Sequence, residues 1–326
     1  MVEAIVPVPS APSVPDPRLR TGYAMAVCAS VLFAVNGSVS KVMLLGGMPA
    51  QRLTELRSAG AFVGLLVLLA LTRPRSLKVT ARELPMLALF GVAGFALVQW
   101  LYFVAIVRLP VAIALLLEYT APLLVALWVR FVGREPVRRR LWVGLALALL
   151  GLALVAEVWG GVQLDGLGVL AALGAAVSLA VYFVVGEHSV SSRDPLSLTC
   201  YAFGFSTLLW TLVQPWWTFP WSLLGTDVSM LGNLADVHLP MWTLAIWLVA
   251  LGTIVPFSLI IGSLRHLRAT QAGIVGMTEP VVATLVAFVW LAEALGPAQL
   301  LGGAVVLFGV VLAETARPAP VDLSDG

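Results

Sequence analysis

The sequence predicts an all-α integral membrane protein, with ten transmembrane helices arranged as two inverted five-helix repeats. Composition is the first of three observations behind this. Hydrophobic residues fill 60% of the 326 positions and charged residues only 11%, with a mean hydropathy of +0.99. A soluble domain carries about 25% charged residues, so this chain lacks the side chains to coat a water-facing surface and takes the lipid bilayer as its solvent. The second observation is an internal echo. A shift of 158 positions sets Pro122 on Pro280, Glu135 on Glu293, Gly144 on Gly302 and Gly151 on Gly309 without a gap, and a fainter echo sets Gly22 on Gly168 and Asn36 on Tyr182. The third is the placement of Lys and Arg, which sets direction.

A helix needs about 20 apolar residues to cross the hydrocarbon core, and the elements follow in order. Residues 1–21 hold Pro7, Pro9, Pro12, Pro15 and Pro17 and no long apolar run, which reads as a disordered cytoplasmic tail and not as a signal peptide. The first repeat, 22–158, contains spans near 22–45, 53–72, 84–105, 111–132 and 140–157. Only Arg108-Leu109-Pro110 joins the third span to the fourth, so those two are antiparallel neighbours. The second repeat, 168–315, contains spans near 168–186, 195–214, 241–263, 269–291 and 298–315, and residues 316–326 form a cytoplasmic tail. Its one long connection, 215–240, carries Trp216, Trp217 and Trp221, with Trp242 beyond, as an aromatic interfacial belt. Runs of this length without polar alternation do not suit a β-barrel.

With the N-terminus inside, the inner connections collect Arg18, Arg20, Arg73, Arg75, Lys78, Arg82, Arg134, Arg138, Arg139, Arg140, Arg193, Arg265, Arg268 and Arg317, and the outer ones only Arg52 and Arg108. That asymmetry places both termini in the cytoplasm of a multi-pass protein of the cell membrane. Five spans per half is an odd number, so the second half is inverted relative to the first. Inverted halves serve alternating access, because one packing mode realised in two related ways opens a shared site to either face.

Other classes are disfavoured. A net charge of +2 with dispersed basic residues gives no nucleic-acid partner. Cys28 and Cys200 stand in separate apolar stretches without metal-ligand spacing, so no metal or cofactor is expected and both read as small apolar packing residues. His188, His238 and His266 fall in loops or at helix ends. An intramembrane enzyme would need an HExxH or GxSxG motif and an ATP-driven pump a nucleotide motif, and none is present. A receptor does not require inverted repeats, and a channel stays open as the alternative.

Two repeats of five helices, each with a proline within its fourth helix, an acid at that helix's end and glycines in the fifth, resemble the EamA-type drug/metabolite transporter superfamily. The residues that carry the resemblance are Thr120-Ala121-Pro122 with Gly133-Arg134-Glu135, and Thr278-Glu279-Pro280 with Leu291-Ala292-Glu293. The resemblance implies a gradient-driven or proton-linked carrier of small organic solutes, commonly an exporter, with its cavity among helices one to four and six to nine. Leu117-Glu118-Tyr119-Thr120-Ala121-Pro122 is similar to a segment of the threonine/homoserine exporters, which points towards amino acids. The chain departs from the commoner pattern in Arg134 before Glu135 and in Gly276, which stands where an acid would match Glu118.

Ionisable groups within spans cost roughly 2.5–3.5 kcal/mol at the helix centre, so each is a site candidate. Glu118 lies ~10 Å from the outer surface and Glu279 ~15 Å deep at the α-helical rise, with no Lys or Arg assigned to the depth of Glu279. A carboxyl that takes and releases a proton is what coupling requires; the alternative is a structural glutamate tying two helices. Pro122 and Pro280 free a carbonyl one turn earlier and are gating candidates or static kinks. Asn36, Gln99, Tyr102, Tyr182 and Gln271 are candidate solute contacts or interhelical hydrogen bonds, with Tyr119 and Tyr201 ranked below them. Arg57 resembles an arginine of the family and would hold an anionic group or a gate; snorkelling to the outer interface accounts equally for Arg57 and Lys41. Gly144, Gly151, Gly302 and Gly309 read as close helix packing or as a subunit contact of a homodimer.

Overall fold

A computed structural model of the chain describes residues 17–109, 111–156, 165–292 and 296–315. Ten helical spans follow one another: α1 (Pro17–Leu45), α2 (Ala50–Thr72), α3 (Leu84–Gly91, Val92–Leu97 and Val98–Arg108), α4 (Val111–Glu118 and Ala121–Phe131), α5 (Arg139–Val155), α6 (Gly166–Val190), α7 (Pro195–Val213), α8 (Met241–Val249, Ala250–Ile254 and Val255–Ser263), α9 (Ala269–Gly276 and Glu279–Leu291) and α10 (Pro297–Glu314). Nine of them are long and apolar enough to cross a membrane among the described residues, and α5, with 17 residues, is the remaining span. Side chains at the junctions start the helices: Asp165 accepts from the Gly168 N–H at 2.7 Å, and Asp194 caps α7 with Pro195 in its first turn. The described part of α1 opens at Pro17, so residues 17–21 of the expected tail are helical. Pro110, Glu293 and the 316–326 tail lie outside the described residues.

The glycines of the echo reveal how the halves meet. A Cβ on Gly151 would stand 2.7 Å from the Gly302 carbonyl oxygen, and one on Gly309 would stand 2.7 Å from that of Gly144. Residue 144 therefore faces the repeat partner of 151, and 151 faces the repeat partner of 144. This is the isologous pattern of a two-fold axis, and since α5 and α10 run antiparallel the axis is perpendicular to them, as inverted repeats require. Without a hydrophobic driving force between helices in lipid, such close backbone approach is what holds them. The glycines are thus used within the chain, not at a subunit contact. Gly151→Leu is expected to destabilise the fold by about 1–3 kcal/mol through overpacking, seen as a lower thermal unfolding temperature in detergent. Leu150→Ala, on the exposed face next to it, is expected to leave that temperature nearly unchanged.

The same relation recurs elsewhere. α1 packs on α8 and α9 as α6 packs on α3 and α4. Both α3 and α8 are interrupted by a π-helical turn, at Val92–Leu97 and Ala250–Ile254, again 158 positions apart. Each turn brings a glycine against the opposite half: a Cβ on Gly94 would stand 3.2 Å from Tyr182 Cα, and one on Gly252 only 2.2 Å from Asn36 Oδ1. π-turns of this kind concentrate at functional sites.

Helices α2 and α7 are tied at three levels. Midway, the Ser58 and Ser206 hydroxyls share a hydrogen bond of 3.1 Å. At one end Arg52 of α2 grips the stretch after α7, donating to the Pro215 carbonyl at 3.4 Å and to Thr218 Oγ1, and it pairs with Glu55 at 2.6 Å. At the other end Arg193, just before α7, grips the stretch after α2, donating to the carbonyls of Ser76 (3.0 Å) and Lys78 (3.1 Å) and to Glu83 (2.9 Å). Thr80 donates its backbone N–H and its hydroxyl to the Glu83 carboxylate, which holds that carboxyl below its usual range. This second end is rich in arginine: Arg73 meets Asp194, and Arg268 meets Glu135.

The connection 215–240 is more ordered than the expected loop. It folds into a small cap on the Arg52 end, with a hairpin of β1 (Asp227–Ser229) and β2 (His238–Pro240) and an aromatic cluster in which Phe219 lies tilted against Trp221 at 4.5 Å and Trp216 stacks on Trp221 at 6.0 Å. Trp290 Nε1 donates to the Met230 carbonyl and Asn233 Nδ2 to the Val289 carbonyl, both at 2.8 Å, so the cap is fastened to the end of α9. Trp217, Trp221 and Trp242 are exposed as an interfacial belt would be, whereas Trp216 is half-buried inside the cap. Cys200 is buried, but Cys28 is exposed on α1, so the apolar-packing reading fails for that residue.

Candidate functional site

The fourth helix of each repeat breaks at the same point. α4 stops at Glu118, turns through Tyr119 and Thr120, and restarts at Ala121; α9 stops at Gly276, turns through Met277 and Thr278, and restarts at Glu279. Pro122 and Pro280 stand in the first turn of the restarted segments and have no N–H, so the carbonyls of Glu118 and Gly276 lose the acceptor role they would have in a continuous helix. At each expected kink the backbone stays in right-handed helical dihedrals and tightens, with Thr120 N–H donating to the Leu117 carbonyl at 3.2 Å and Thr278 N–H to the Val275 carbonyl at 3.0 Å.

The breaks bring polar side chains together in an otherwise apolar interior. Tyr119 Oη donates to Glu279 Oε2 at 2.7 Å, bridging α4 to α9 and so one repeat to the other. Glu118, Glu279, Tyr102 and Tyr119 lie within electrostatic reach of one another. Arg57 completes the cluster. It is only 9% exposed, donates from Nε to Thr253 Oγ1 at 3.2 Å and from Nη2 to the Gly252 carbonyl at 3.4 Å, and stands 5.9 Å over the Phe257 ring.

Two expectations are corrected by this geometry. Arg57 does not snorkel, because the α8 π-turn offers it a hydroxyl and a carbonyl that satisfy the guanidinium inside the bundle. Glu279 does have a cation at its depth, since it interacts electrostatically with Arg57. Sequence position misleads here because Arg57 lies near the start of α2 and faces inwards. Lys41 is exposed, in keeping with an interfacial position.

The other candidates separate. Gln99 lies one turn before Tyr102 on the same face of α3, is 7% exposed, and neither its Oε1 nor its Nε2 has a hydrogen-bond partner. Asn36 is 6% exposed, leaves Oδ1 unpartnered and abuts Gly252, the residue whose carbonyl receives Arg57. Tyr182 sits further back, in a ring cluster with Phe90, Phe95 and Phe257, its hydroxyl unpartnered. Gln271 is not brought to the cluster. It caps the start of α9, accepting from the Arg268 N–H at 2.9 Å and donating to Tyr23 at 3.3 Å. Buried polar groups are almost always hydrogen-bonded, and among the described residues the Gln99 amide and Asn36 Oδ1 share their lack of a partner with Tyr182 Oη, Trp210 Nε1 and Ser258 Oγ.

Sequence reasoning undervalued Tyr119 and missed Thr253. Tyr119 had a signal, its place between Glu118 and the break. Thr253 had a weaker one, as a hydroxyl midway along an apolar helix at the repeat position of Phe95.

A model of the EamA-like transporter family matches residues 20–156 and 166–315. The chain belongs to the EamA-like transporter family. It is 29% identical over 296 residues to an uncharacterized transporter of Archaeoglobus fulgidus, covering 90% of this chain and 97% of that one. It is 28% identical over 260 residues to the threonine/homoserine exporter RhtA of Escherichia coli strain K12, covering 79% of each. A solved crystal structure superimposes with a TM-score of 0.73 at 20% identity, covering 91% of this chain and 97% of the other, which establishes a shared fold. As a family member the protein is a multi-pass membrane transporter, and its charged cluster lies where the two repeats meet.

Proposed function

We propose that this EamA-family protein is a secondary active exporter of small organic metabolites, either amino acids and related compounds or drugs, working by alternating access in the plasma membrane with proton coupling through Glu279. The observation that carries this reading is the bridge from Tyr119 to Glu279, which joins the two repeats at their helix breaks within a buried cluster of one guanidinium and two carboxyls. The Arg52 and Arg193 clasps close opposite ends of the bundle, so opening either end exposes the same cluster to one face at a time. Arg57 suits an anionic group on the solute, Glu118 a cationic one, and Gln99, Tyr102 and Asn36 the remaining polar contacts. The naming of one relative as a threonine/homoserine exporter favours amino acids.

The test is uptake into proteoliposomes of a panel of radiolabelled amino acids, nucleosides and cationic drugs under an imposed pH gradient. Saturable accumulation of one class supports the reading; linear, unsaturable flux would replace the carrier with a channel. Direction is tested separately. The arginine-rich end is assigned to the cytoplasm and the cap to the outside, so a cysteine at exposed Ala235, in an otherwise cysteine-free chain, is expected to react with an impermeant maleimide in intact cells. Labelling only after the membrane is opened would reverse the topology.

A further inference from the structure

Away from the charged cluster, two crevices meet on the arginine-rich side of the bundle. One, of about 450 Å³, carries charged groups on a mixed wall, bordered by Arg18, Glu187, Ser191 and Arg265 beside Val190 and Leu264. The other, of about 440 Å³, is apolar and runs between α1, α2 and α8 past Met25, Leu68, Ile254 and Leu259. Both are bounded by Arg265 and His266, so a compartment with charged groups stands beside an oily one.

We propose that the pair forms a binding site for one anionic phospholipid, with the headgroup against Arg265 and one acyl chain along α8. Charge favours an anion. Glu187 is engaged by the Ala269 N–H at 2.9 Å, and Asp194 at the rim is taken by Arg73, whereas the exposed Arg265, among the described residues, donates at 3.3 Å to the Arg193 carbonyl and pairs with no carboxylate. Length favours a lipid over a free anion. From Ile254 to Arg265 the α8 wall spans roughly 16 Å at 1.5 Å per residue, about half of the ~30 Å hydrocarbon core and so one leaflet deep. Basic pockets between membrane helices hold anionic headgroups by this combination. The apolar end reaches Ile254, the last residue of the α8 π-turn that positions Thr253 and Gly252 under Arg57. A chain lodged there braces the turn that carries the guanidinium.

The experiment is lipid binding by the full-length protein in detergent, read as thermal stabilisation and as lipid retained in native mass spectrometry. Phosphatidylglycerol, phosphatidylcholine and inorganic phosphate are the three probes. Phosphatidylglycerol is expected to stabilise most and to be retained at one copy per chain. Arg265→Gln is expected to weaken its retention about fivefold, as loss of one basic contact near an anionic headgroup does. Leu68→Trp, which fills the exposed wall of the groove, is expected to reduce retention with Arg265 intact. Both positions are at the protein surface, and an unchanged melting temperature without added lipid confirms folding of each variant. Equal stabilisation by phosphatidylcholine, full stabilisation by phosphate alone, or retention unaffected by either substitution would each overturn the proposal.

Discussion

Arg57→Ala is expected to abolish accumulation of solute and to weaken equilibrium binding roughly a hundredfold, within the 2–5 kcal/mol that follows truncation of a buried, hydrogen-bonded charge partner. The side chain is held by Thr253 and Gly252 of α8, lies above Phe257, and interacts electrostatically with Glu279 at the α9 break. Arg57→Lys is expected to rescue little, since an ammonium cannot reproduce the planar set of donors that meets both oxygens. Binding measured by calorimetry, beside thermal unfolding of the same preparations, separates a lost contact from a lost fold. Near-normal affinity in a folded Arg57→Ala protein would return Arg57 to a purely structural role between α2 and α8.

Glu279→Gln is expected to keep solute binding and exchange but to lose accumulation driven by a pH gradient. Glutamine preserves size and still accepts the Tyr119 hydrogen bond, yet it cannot titrate. Its neighbours make Glu279 responsive to occupancy. Arg57 and Glu118 both interact with it electrostatically, so a solute that occupies either partner changes how readily the carboxyl holds its proton, which is the requirement for coupling. Glu118→Gln is expected to have the smaller effect on coupling and the larger one on affinity. Transport with and without an imposed gradient decides the matter: full gradient-driven accumulation by Glu279→Gln removes it as the coupling residue.

The fold was legible because its determinants are local and repeated. Apolar runs mark spans, and the Pro122/Pro280 and Gly144/Gly302 matches mark equivalent helices, so the inverted arrangement follows from counting five helices per half. The π-turns were not legible, because Gly94 and Gly252 act through residues distant in sequence, Tyr182 and Asn36. The site was half legible. Glu118 and Glu279 stand out as acids in apolar helices, but the partner of Glu279 is set by which way Arg57 points, and that depends on a hydroxyl and a carbonyl of α8. The folded cap escaped for the same reason, since Asn233 meets Val289 and Trp290 meets Met230 only in three dimensions, across 56 and 60 positions of chain.

Alternating access between two related halves is tested most directly by counterflow. Proteoliposomes loaded with a high concentration of unlabelled solute and diluted into a trace of labelled solute, with no ion gradient, report whether one site serves both faces. The mechanism predicts a transient accumulation of label above equilibrium that saturates with internal solute and persists in Glu279→Gln. Label that rises only to equilibrium, at a rate independent of the internal load, would contradict a carrier and describe a pore.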